Sequence, residues 1–151
     1  DFLKYSCQLT LDLNTVHKWL RLFEGKREIK RLTWLVQSYP AHPERFDGWE
    51  QVLCREGLSG RCYWEVEWNG GFIIAVSYKE ISRKGGGHDC GLGYNDKSWS
   101  LHCTRSSLCF RHNNKKTEIA AHPSSKIGVY LEHREGTLSF YSISIPYNIM
   151  T

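Results

Sequence analysis

Long apolar runs are missing from this sequence of 151 residues. No stretch approaches the roughly 20 consecutive apolar residues that a membrane-spanning helix needs. The chain opens with Asp1-Phe2-Leu3-Lys4, whereas a secretory leader would place an apolar run after a basic segment. The sequence therefore predicts neither a membrane helix nor a targeting segment.

Methionine and proline are also scarce, with one and four residues, while the chain has six Trp, eight Tyr and 13 Gly. Aromatic residues favour strands and glycine favours turns, so this composition predicts an all-β protein. A chain of this length is sufficient to bury the core of one domain. We therefore expect a single all-β domain.

A block of like charge is absent as well. The net charge is +4, from 20 basic and 16 acidic residues that read as scattered along the chain, so no nucleic-acid partner is expected. There is no Cys-x-x-Cys pair and no Asn-x-Ser/Thr glycosylation site. The six irregularly spaced cysteines are therefore expected to be free structural thiols in a reducing cytoplasm: Cys7, Cys54, Cys62, Cys90, Cys103 and Cys109.

Hydrophobic alternation marks the strands. Residues 62–68 place Cys62, Trp64 and Val66 on one face, and the apolar run 72–78 follows after Gly70-Gly71, which predicts a hairpin of two core strands. Short helical turns are predicted at 1–6 and 14–18, and an irregular loop at 37–45. Further strands are predicted at 20–23, 29–32, 51–54, 98–103, 108–111, 127–131 and 137–142, a spacing typical of a sandwich or barrel.

Three ordered motifs between residues 9 and 142 carry a resemblance to a known family. They are Leu-Thr-Leu-Asp-Leu-Asn-Thr-Val-His from residue 9, Arg-Glu-Gly-Leu-Ser-Gly-Arg-Cys-Tyr-Trp-Glu-Val-Glu from residue 55, and Gly-Val-Tyr-Leu-Glu followed by Gly-Thr-Leu-Ser-Phe-Tyr from residue 128. The sequence is similar to PRY-SPRY (B30.2) domains. The best analogues are tripartite-motif ubiquitin ligases, fish NACHT and leucine-rich-repeat immune receptors, and toxins of the stonefish type.

The resemblance implies a fold, a bent antiparallel two-sheet β-sandwich of the concanavalin-like jelly-roll kind. It implies a PRY segment at 1–44 and a SPRY segment at 45–151 within one structural domain. It also implies a non-catalytic recognition module without cofactor or metal, which gives target specificity to a larger cytoplasmic innate-immunity protein. Any ubiquitin-ligase activity would then lie in other domains of that protein.

Partner contacts are implied residue by residue at Lys79, Leu92, His102 and Thr104, within or beside specificity loops at 37–48, 79–89 and 104–116. The relative that binds antibody has tryptophans where this chain has His102 and Thr104, so an antibody is not the implied partner. Aromatic and arginine side chains are common at interface hot spots. The same loops contain four residues of these types, which are added as candidates: Tyr39, Arg105, Phe110 and Arg111. Trp99 is expected in the core.

Two other functions are consistent with the resemblance. One is assembly or membrane contact, without insertion, in a pore-forming toxin. The other is a phosphorylated-ligand sensor of the butyrophilin type, for which the basic residues near 105–116 would form the site. Family members continue past residue 142 with closing strands, so the chain is expected to be truncated at its C-terminus. Unpaired sheet edges would then permit a dimer or a strand swap.

Catalytic and metal-binding alternatives are weaker. Glu65 and Glu67 lie two apart on one strand face, as in some glycosidases, but they are expected to be surface acids paired with basic residues. The histidines and cysteines match no zinc-ligand spacing. The glycine-rich segment 84–88 lacks the Gly-Lys-Ser/Thr of a phosphate cradle and is expected to be a flexible loop.

Overall fold

The structure is a computed structural model that describes residues 2–23, 25, 27–32, 36–121 and 124–143. Within these residues it contains one turn of 3₁₀ helix at Phe2–Tyr5 and nine strands. The strands are β1 (Leu20–Phe23), β2 (Glu28–Arg31), β3 (Arg61–Glu67), β4 (Phe72–Ser77), β5 (Ser98–Cys103), β6 (Leu108–His112), β7 (Lys115–Ile119), β8 (Lys126–Glu132) and β9 (Thr137–Ser142). No helix in this described part is long and apolar enough to cross a membrane.

Two antiparallel sheets form the sandwich, with strand orders β3-β8-β9 and β4-β5-β6-β7, and β1 and β2 form a separate hairpin. In the first sheet, Trp64 lies opposite Val129, and Val129 lies opposite Phe140. These side chains meet the inner face of the second sheet in one core. The buried core members are Ile74, Leu101, Cys103, Leu108, Ile127 and Val129. The predicted all-β sandwich is confirmed.

Most predicted strands match within a residue or two, but two predictions are wrong. Residues 51–54 form no strand, and only an isolated bridge joins Cys54 to Leu11. The predicted helical turn at 14–18 is not helical. β7 was not predicted, because all five of its residues are exposed and its sequence carries no apolar alternation. Between the predicted strands 20–23 and 29–32, a turn at 24–26 is also expected, and its residues Glu24 and Lys26 lie outside the described residues. Residues 144–151 lie outside them as well, so the expectation about closing strands stays a prediction.

Arg45 joins the irregular loop at 37–45 to the N-terminal segment. Its guanidinium donates to the Pro40 carbonyl from Nε (3.2 Å) and Nη2 (2.9 Å). Its Nη1 donates to the carbonyls of Leu13 (2.9 Å) and Val16 (2.8 Å). The guanidinium also lies 5.0 Å from the centre of the Tyr39 ring. Only 8% of Arg45 is exposed, so this cation is a structural connector inside the fold.

One cysteine pair departs from the expectation of free thiols. Cys7 and Cys62 form a disulfide, with Cα atoms 5.7 Å apart, a separation typical of such bonds. A parallel bridge between Ser6 and Tyr63 brings the N-terminal segment alongside β3, which places the two cysteines together. The other four cysteines are free, and three of them are buried.

Candidate partner-binding surface

The outer face of the four-stranded sheet collects side chains from four strands into two rows. The strand register aligns Ile73, His102, Cys109 and Glu118 in one row, and Ala75, Ser100, Arg111 and Lys116 in the next. All members of these rows except Ala75, together with Tyr94, Thr104 and Ser107, border a cavity of about 330 Å³. We call this cavity the sheet cleft.

Arg111 is held in position within the sheet cleft. Its guanidinium lies 4.5 Å from the centre of the Tyr94 ring, and its Nη1 donates to Oδ1 of Asn114 at 2.7 Å. The Tyr94 ring in turn packs against Trp49, with centroids 4.9 Å apart. An arginine fixed in this way loses less conformational entropy when it binds a partner than a freely rotating one would.

A tight turn at residues 104–107 forms one wall of the cleft. The Thr104 N–H donates to the Ser107 carbonyl at 3.0 Å, and the Ser107 N–H donates to the Thr104 hydroxyl at 3.0 Å. Arg105 lies in this turn and is exposed. The wall is therefore fixed by its own hydrogen bonds and presents a cation at its tip.

Two of the predicted specificity loops are tied together. Nη1 of Arg83 donates to the Glu44 carbonyl, and its Nη2 donates to the Lys79 carbonyl, each at 2.7 Å. The Gly85 N–H donates to Oδ1 of Asp47 at 2.7 Å. Contacts of this kind fix the relative position of loops 37–48 and 79–89.

The glycine-rich segment 84–88 takes part in this network. Nζ of Lys84 donates to the carbonyls of His42 and Arg45, at 2.8 and 2.7 Å. The Trp49 indole N–H donates to the Gly87 carbonyl at 2.9 Å. The segment is thus held to neighbouring residues by hydrogen bonds at both ends, and its flexibility stays a prediction. Gly48, which has no side chain, allows the backbone of loop 37–48 to approach the Gly85 carbonyl closely, and the hydrogen bonds hold the two segments together.

Of the eight predicted partner-binding residues, the structure brings three together in the sheet cleft: His102, Thr104 and Arg111. Arg105 lies beside them. Lys79 is exposed at a second cavity, where it borders Arg83. Leu92 is half-buried, and its N–H donates to Oε1 of Gln51 at 2.7 Å. The roles of these residues in binding stay predictions.

Two of the eight are placed inside the fold. The Tyr39 hydroxyl donates to the Leu20 carbonyl at 2.7 Å, beneath the Arg45 guanidinium. Phe110 points between the sheets, where its ring lies 6.5 Å from that of Phe140. Both were selected because aromatic side chains are common at hot spots, but the same side chains also fill cores. The structure therefore gives Tyr39 and Phe110 packing roles.

Trp99 lies on the inner side of β5 and is half-buried. Its ring stacks on His112 with centroids 4.5 Å apart and planes only 2° from parallel. The His112 Nδ1 lies 2.7 Å from the Ser98 carbonyl. His112, expected in the basic group near 105–116, is therefore turned toward Trp99 and away from the sheet cleft.

The charges in the sheet cleft are partly balanced. Nζ of Lys116 lies 3.1 Å from Oε1 of Glu118, and this contact raises the pKa of Lys116. Arg111 is engaged by Asn114 and Tyr94, as described above. A phosphorylated ligand needs an excess of unpaired donors. Of the two cations that line the cleft, Lys116 is paired with Glu118 and Arg111 has only neutral partners, so the phosphorylated-ligand alternative stays a prediction.

Glu65 and Glu67 lie on the other sheet, away from the cleft. Glu65 accepts a hydrogen bond from the Tyr63 hydroxyl at 2.7 Å and lies 3.1 Å from Nζ of Lys126, and these contacts lower the pKa of Glu65. Glu67 lies 3.9 Å from the same Nζ. The expected pairing with a basic residue of the neighbouring strand is confirmed. Among the described residues, no group of three His, Cys, Asp or Glu side chains is placed to hold a metal ion.

Comparison with known families identifies the chain. A PRY model, described as an SPRY-associated domain, matches residues 9–58, and an SPRY domain model matches residues 61–150. The chain belongs to the PRY-SPRY family. Domains of this family are in general non-catalytic modules that bind proteins. The boundary predicted between residues 44 and 45 stays a prediction.

Relatives of this PRY-SPRY domain include toxins and a tripartite-motif protein. Stonustoxin subunit beta of Synanceia horrida is 43% identical over 143 residues, which cover 93% of this chain and 20% of the toxin subunit. Tripartite motif-containing protein 16 of Mus musculus is 35% identical over 100% of this chain and 27% of that protein. The chain thus spans about a fifth to about a quarter of these relatives.

Two solved structures share the fold. The stonustoxin structure has a TM-score of 0.88 at 37% identity and is matched by 95% of this PRY-SPRY chain over 24% of its own length. The TRIM65 PSpry domain has a TM-score of 0.82 at 26% identity, with 95% of this chain and 75% of that chain covered. Both comparisons support the sandwich described above.

Proposed function

We propose that this PRY-SPRY domain binds a protein partner through the sheet cleft and gives target specificity to a larger innate-immunity protein. The parent would be a ubiquitin ligase of the tripartite-motif type or a NACHT and leucine-rich-repeat receptor, acting in the cytoplasm. The similarity to tripartite motif-containing protein 16 supports this class of parent protein. The observation that carries the proposed site is Arg111, fixed over Tyr94 and flanked by His102 and Thr104.

The sheet cleft has the mixed character of a protein interface. Ile73 is a large aliphatic side chain with 42% of its surface exposed on the outer sheet face. It lies directly opposite His102 in the strand register. Arginine and aromatic groups beside an exposed apolar residue are the types that dominate binding energy at interfaces. The strands beneath hold this arrangement in fixed geometry, so a partner would meet a preformed surface.

The first prediction tests Arg111. Substitution R111E should weaken partner binding at least tenfold, because it replaces a positioned cation with an anion next to Glu118. The matched control is K115E, which makes the same change in charge at an exposed residue that does not border the cleft. Proteins captured by each variant would be identified by mass spectrometry, and the dissociation constant of a purified partner would then be measured by calorimetry.

Thermal unfolding of both variants decides how the result is interpreted. R111E should melt within a few degrees of the unmodified domain, because its contacts are with side chains at the surface of the sheet. Equal affinity of R111E and K115E for the partner would contradict the proposed site. Loss of folding in R111E alone would assign Arg111 a structural role instead.

A second candidate function is assembly or membrane contact within a pore-forming toxin. Two observations favour it: the 43% identity with stonustoxin subunit beta, and the disulfide between Cys7 and Cys62. Disulfides persist in oxidising compartments and are rare in the cytoplasm. This candidate therefore places the protein in an oxidising compartment and not in the cytoplasm. Leakage of lipid vesicles caused by the longer parent protein would support it.

A thiol count separates the two compartments. If the protein is purified from its natural source and denatured without reductant, we expect an alkylating reagent to modify four cysteines, and all six after reduction. Mass spectrometry of the labelled protein reads the count directly. Six modified cysteines before reduction would remove the disulfide as support for the toxin candidate and would favour a cytoplasmic protein.

A further inference from the structure

Residues 18–32 form a positively charged segment. Residues 18–32 contain six Lys or Arg and two Glu, a balance of +4 that equals the net charge of the whole chain. The remaining 14 basic and 14 acidic residues cancel. Residues 105–116 hold an equal balance, with four Lys or Arg and no acidic residue, so residues 18–32 are one of two basic segments. The charged residues that the structure describes in this segment are Lys18, Arg21, Arg27, Lys30 and Arg31, against Glu28.

The segment folds as the β1–β2 hairpin, which is separate from the sandwich sheets. All four residues of β2 are exposed. Arg21 and Lys30 lie directly opposite each other and therefore on the same face of the hairpin. The Arg21 guanidinium and the Lys30 ammonium lie 4.8 and 5.3 Å from the centre of the Phe23 ring. One face of the hairpin thus presents two cations around an aromatic ring, and Glu28, opposite Phe23, lies on the same face.

The backbone of β2 has an outward-facing edge. The Leu32 N–H donates to the Trp19 carbonyl at 3.1 Å. Antiparallel pairs alternate between hydrogen-bonded and non-hydrogen-bonded, so the N–H and C=O groups of Ile29 and Arg31 point away from β1. Leu20 lies opposite Arg31, so its carbonyl also points away from the partner strand. It accepts a hydrogen bond from the Tyr39 hydroxyl, which lies outside the hairpin. No strand among the described residues pairs with the outer edge of β2.

We propose that β2 is a docking edge for an extended acidic segment of a partner protein, which adds to the hairpin as a third strand. Main-chain hydrogen bonds would join the segment to Ile29 and Arg31. Because side chains alternate between faces, an acidic residue of the segment would lie directly beside Lys30, and the longer Arg21 side chain would approach it from β1 on the same face. The neighbouring positions of the segment would meet Leu22 and Ile29, which share the other face. The partner segment therefore alternates acidic and apolar residues.

The same features disfavour other occupants. A second copy of this hairpin would bring cations against cations, which opposes pairing between identical edges. Single-stranded nucleic acid is bound by stacking bases on open aromatic rings, whereas two cations already lie against the Phe23 ring. A lipid surface requires apolar side chains that enter the headgroup region. Among the described hairpin residues, Ile29 is the single exposed large hydrophobic residue, with 36% of its surface accessible to solvent.

The existing ion pairs leave the Arg21–Lys30 face available. Arg31 is paired with Glu50, so its side chain is not assigned a role in docking. Lys30 lies 3.7 Å from Glu28 on the same strand, in a pair whose side chains are 60% and 45% exposed. Such exposed pairs are weak and are readily exchanged for a better-placed carboxylate.

A peptide-binding experiment tests the proposal on the full 151-residue chain. The probe is a fluorescein-labelled decapeptide of alternating glutamate and valine, and affinity is measured by fluorescence anisotropy. The double substitution R21E/K30E should weaken binding at least tenfold, whereas R134E/K97E, with the same change in charge at exposed residues outside both proposed surfaces, should change it less than twofold. R111E should not change the affinity for the peptide, because Arg111 lies in the sheet cleft.

Two further measurements test the added strand itself. Substitution I29P removes one outward N–H at an edge position that tolerates proline, and it should weaken peptide binding at least tenfold. In the unsubstituted protein, the peptide should slow hydrogen exchange of the Ile29 and Arg31 amides. A peptide of the same composition with its glutamates in one block should bind at least fivefold more weakly.

Three results would overturn the proposal. The first is absence of peptide binding. The second is equal affinity for the alternating and block peptides, which would indicate non-specific attraction of charge. The third is binding of phosphatidylserine vesicles or oligouridine that is lost in R21E/K30E while the peptide does not bind, which would assign the hairpin to a different class of macromolecule.

Discussion

Replacing Arg45 by methionine should lower the free energy of unfolding by about 4 kcal/mol. The Arg45 side chain is 8% exposed and donates to three backbone carbonyls, those of Leu13, Val16 and Pro40. Methionine fills a similar volume but donates no hydrogen bond. Three carbonyls would lose a charged donor, and the connection between the N-terminal segment and the loop at 37–45 would be lost with it.

Lysine at the same position is the matched comparison. Its ammonium keeps the charge but lacks the planar fork that reaches carbonyls on separate segments, so we expect a loss of about 2 kcal/mol. Urea unfolding followed by tryptophan fluorescence gives both values. If R45M unfolded within 1 kcal/mol of the unmodified domain, the guanidinium would not be the connector described here.

Substitution G48A should lower the free energy of unfolding by about 3 kcal/mol. A Cβ atom at Gly48 would lie 2.2 Å from the Gly85 carbonyl oxygen and 2.7 Å from the Gly86 nitrogen. These are backbone atoms, so no side chain can rotate to make room. Relief of the clash requires loops 37–48 and 79–89 to separate, against the hydrogen bond from Gly85 to Asp47 and those donated by Arg83.

The control for this prediction is G57A. A Cβ atom at Gly57 meets nothing within 4 Å, and its φ lies outside the left-handed region, so alanine there should be neutral or slightly stabilising. Thermal denaturation of the two variants compares the same chemical change at two backbone environments. Equal melting temperatures for G48A and G57A would show that the two loops do not approach as closely as the structure indicates.

The sandwich strands could be predicted because their signal is local. In β3, the alternation of Cys62, Trp64 and Val66 with polar residues specifies which face is buried, whatever the partner strand is. The same local signal was misleading at residues 51–54, where Val52 and Leu53 are apolar but the chain makes only one bridge. The local signal was absent at β7, whose residues form a strand because they pair with β6.

The candidate site was predicted in part, and the missing part has a clear cause. His102, Thr104 and Arg111 were found through the resemblance and through residue type. Tyr94 and Ile73 were not found, because they come from segments far apart in the chain and meet only through the strand register. The sequence of β4 is a continuous apolar run, so it carries no local signal that Ile73 faces outward while Ile74 is buried.

The sequence by itself determined the all-β class, the family and most strands. The reason is that side-chain periodicity and short sequence motifs are read over a few neighbouring residues. Only the tertiary structure decided that Phe110 packs inward, that Arg45 is a buried connector, and that β1 and β2 form a hairpin separate from the sandwich sheets. Those outcomes depend on which residues meet across strands and loops. Contacts between distant segments are set by the packing of the whole chain, which no local pattern encodes.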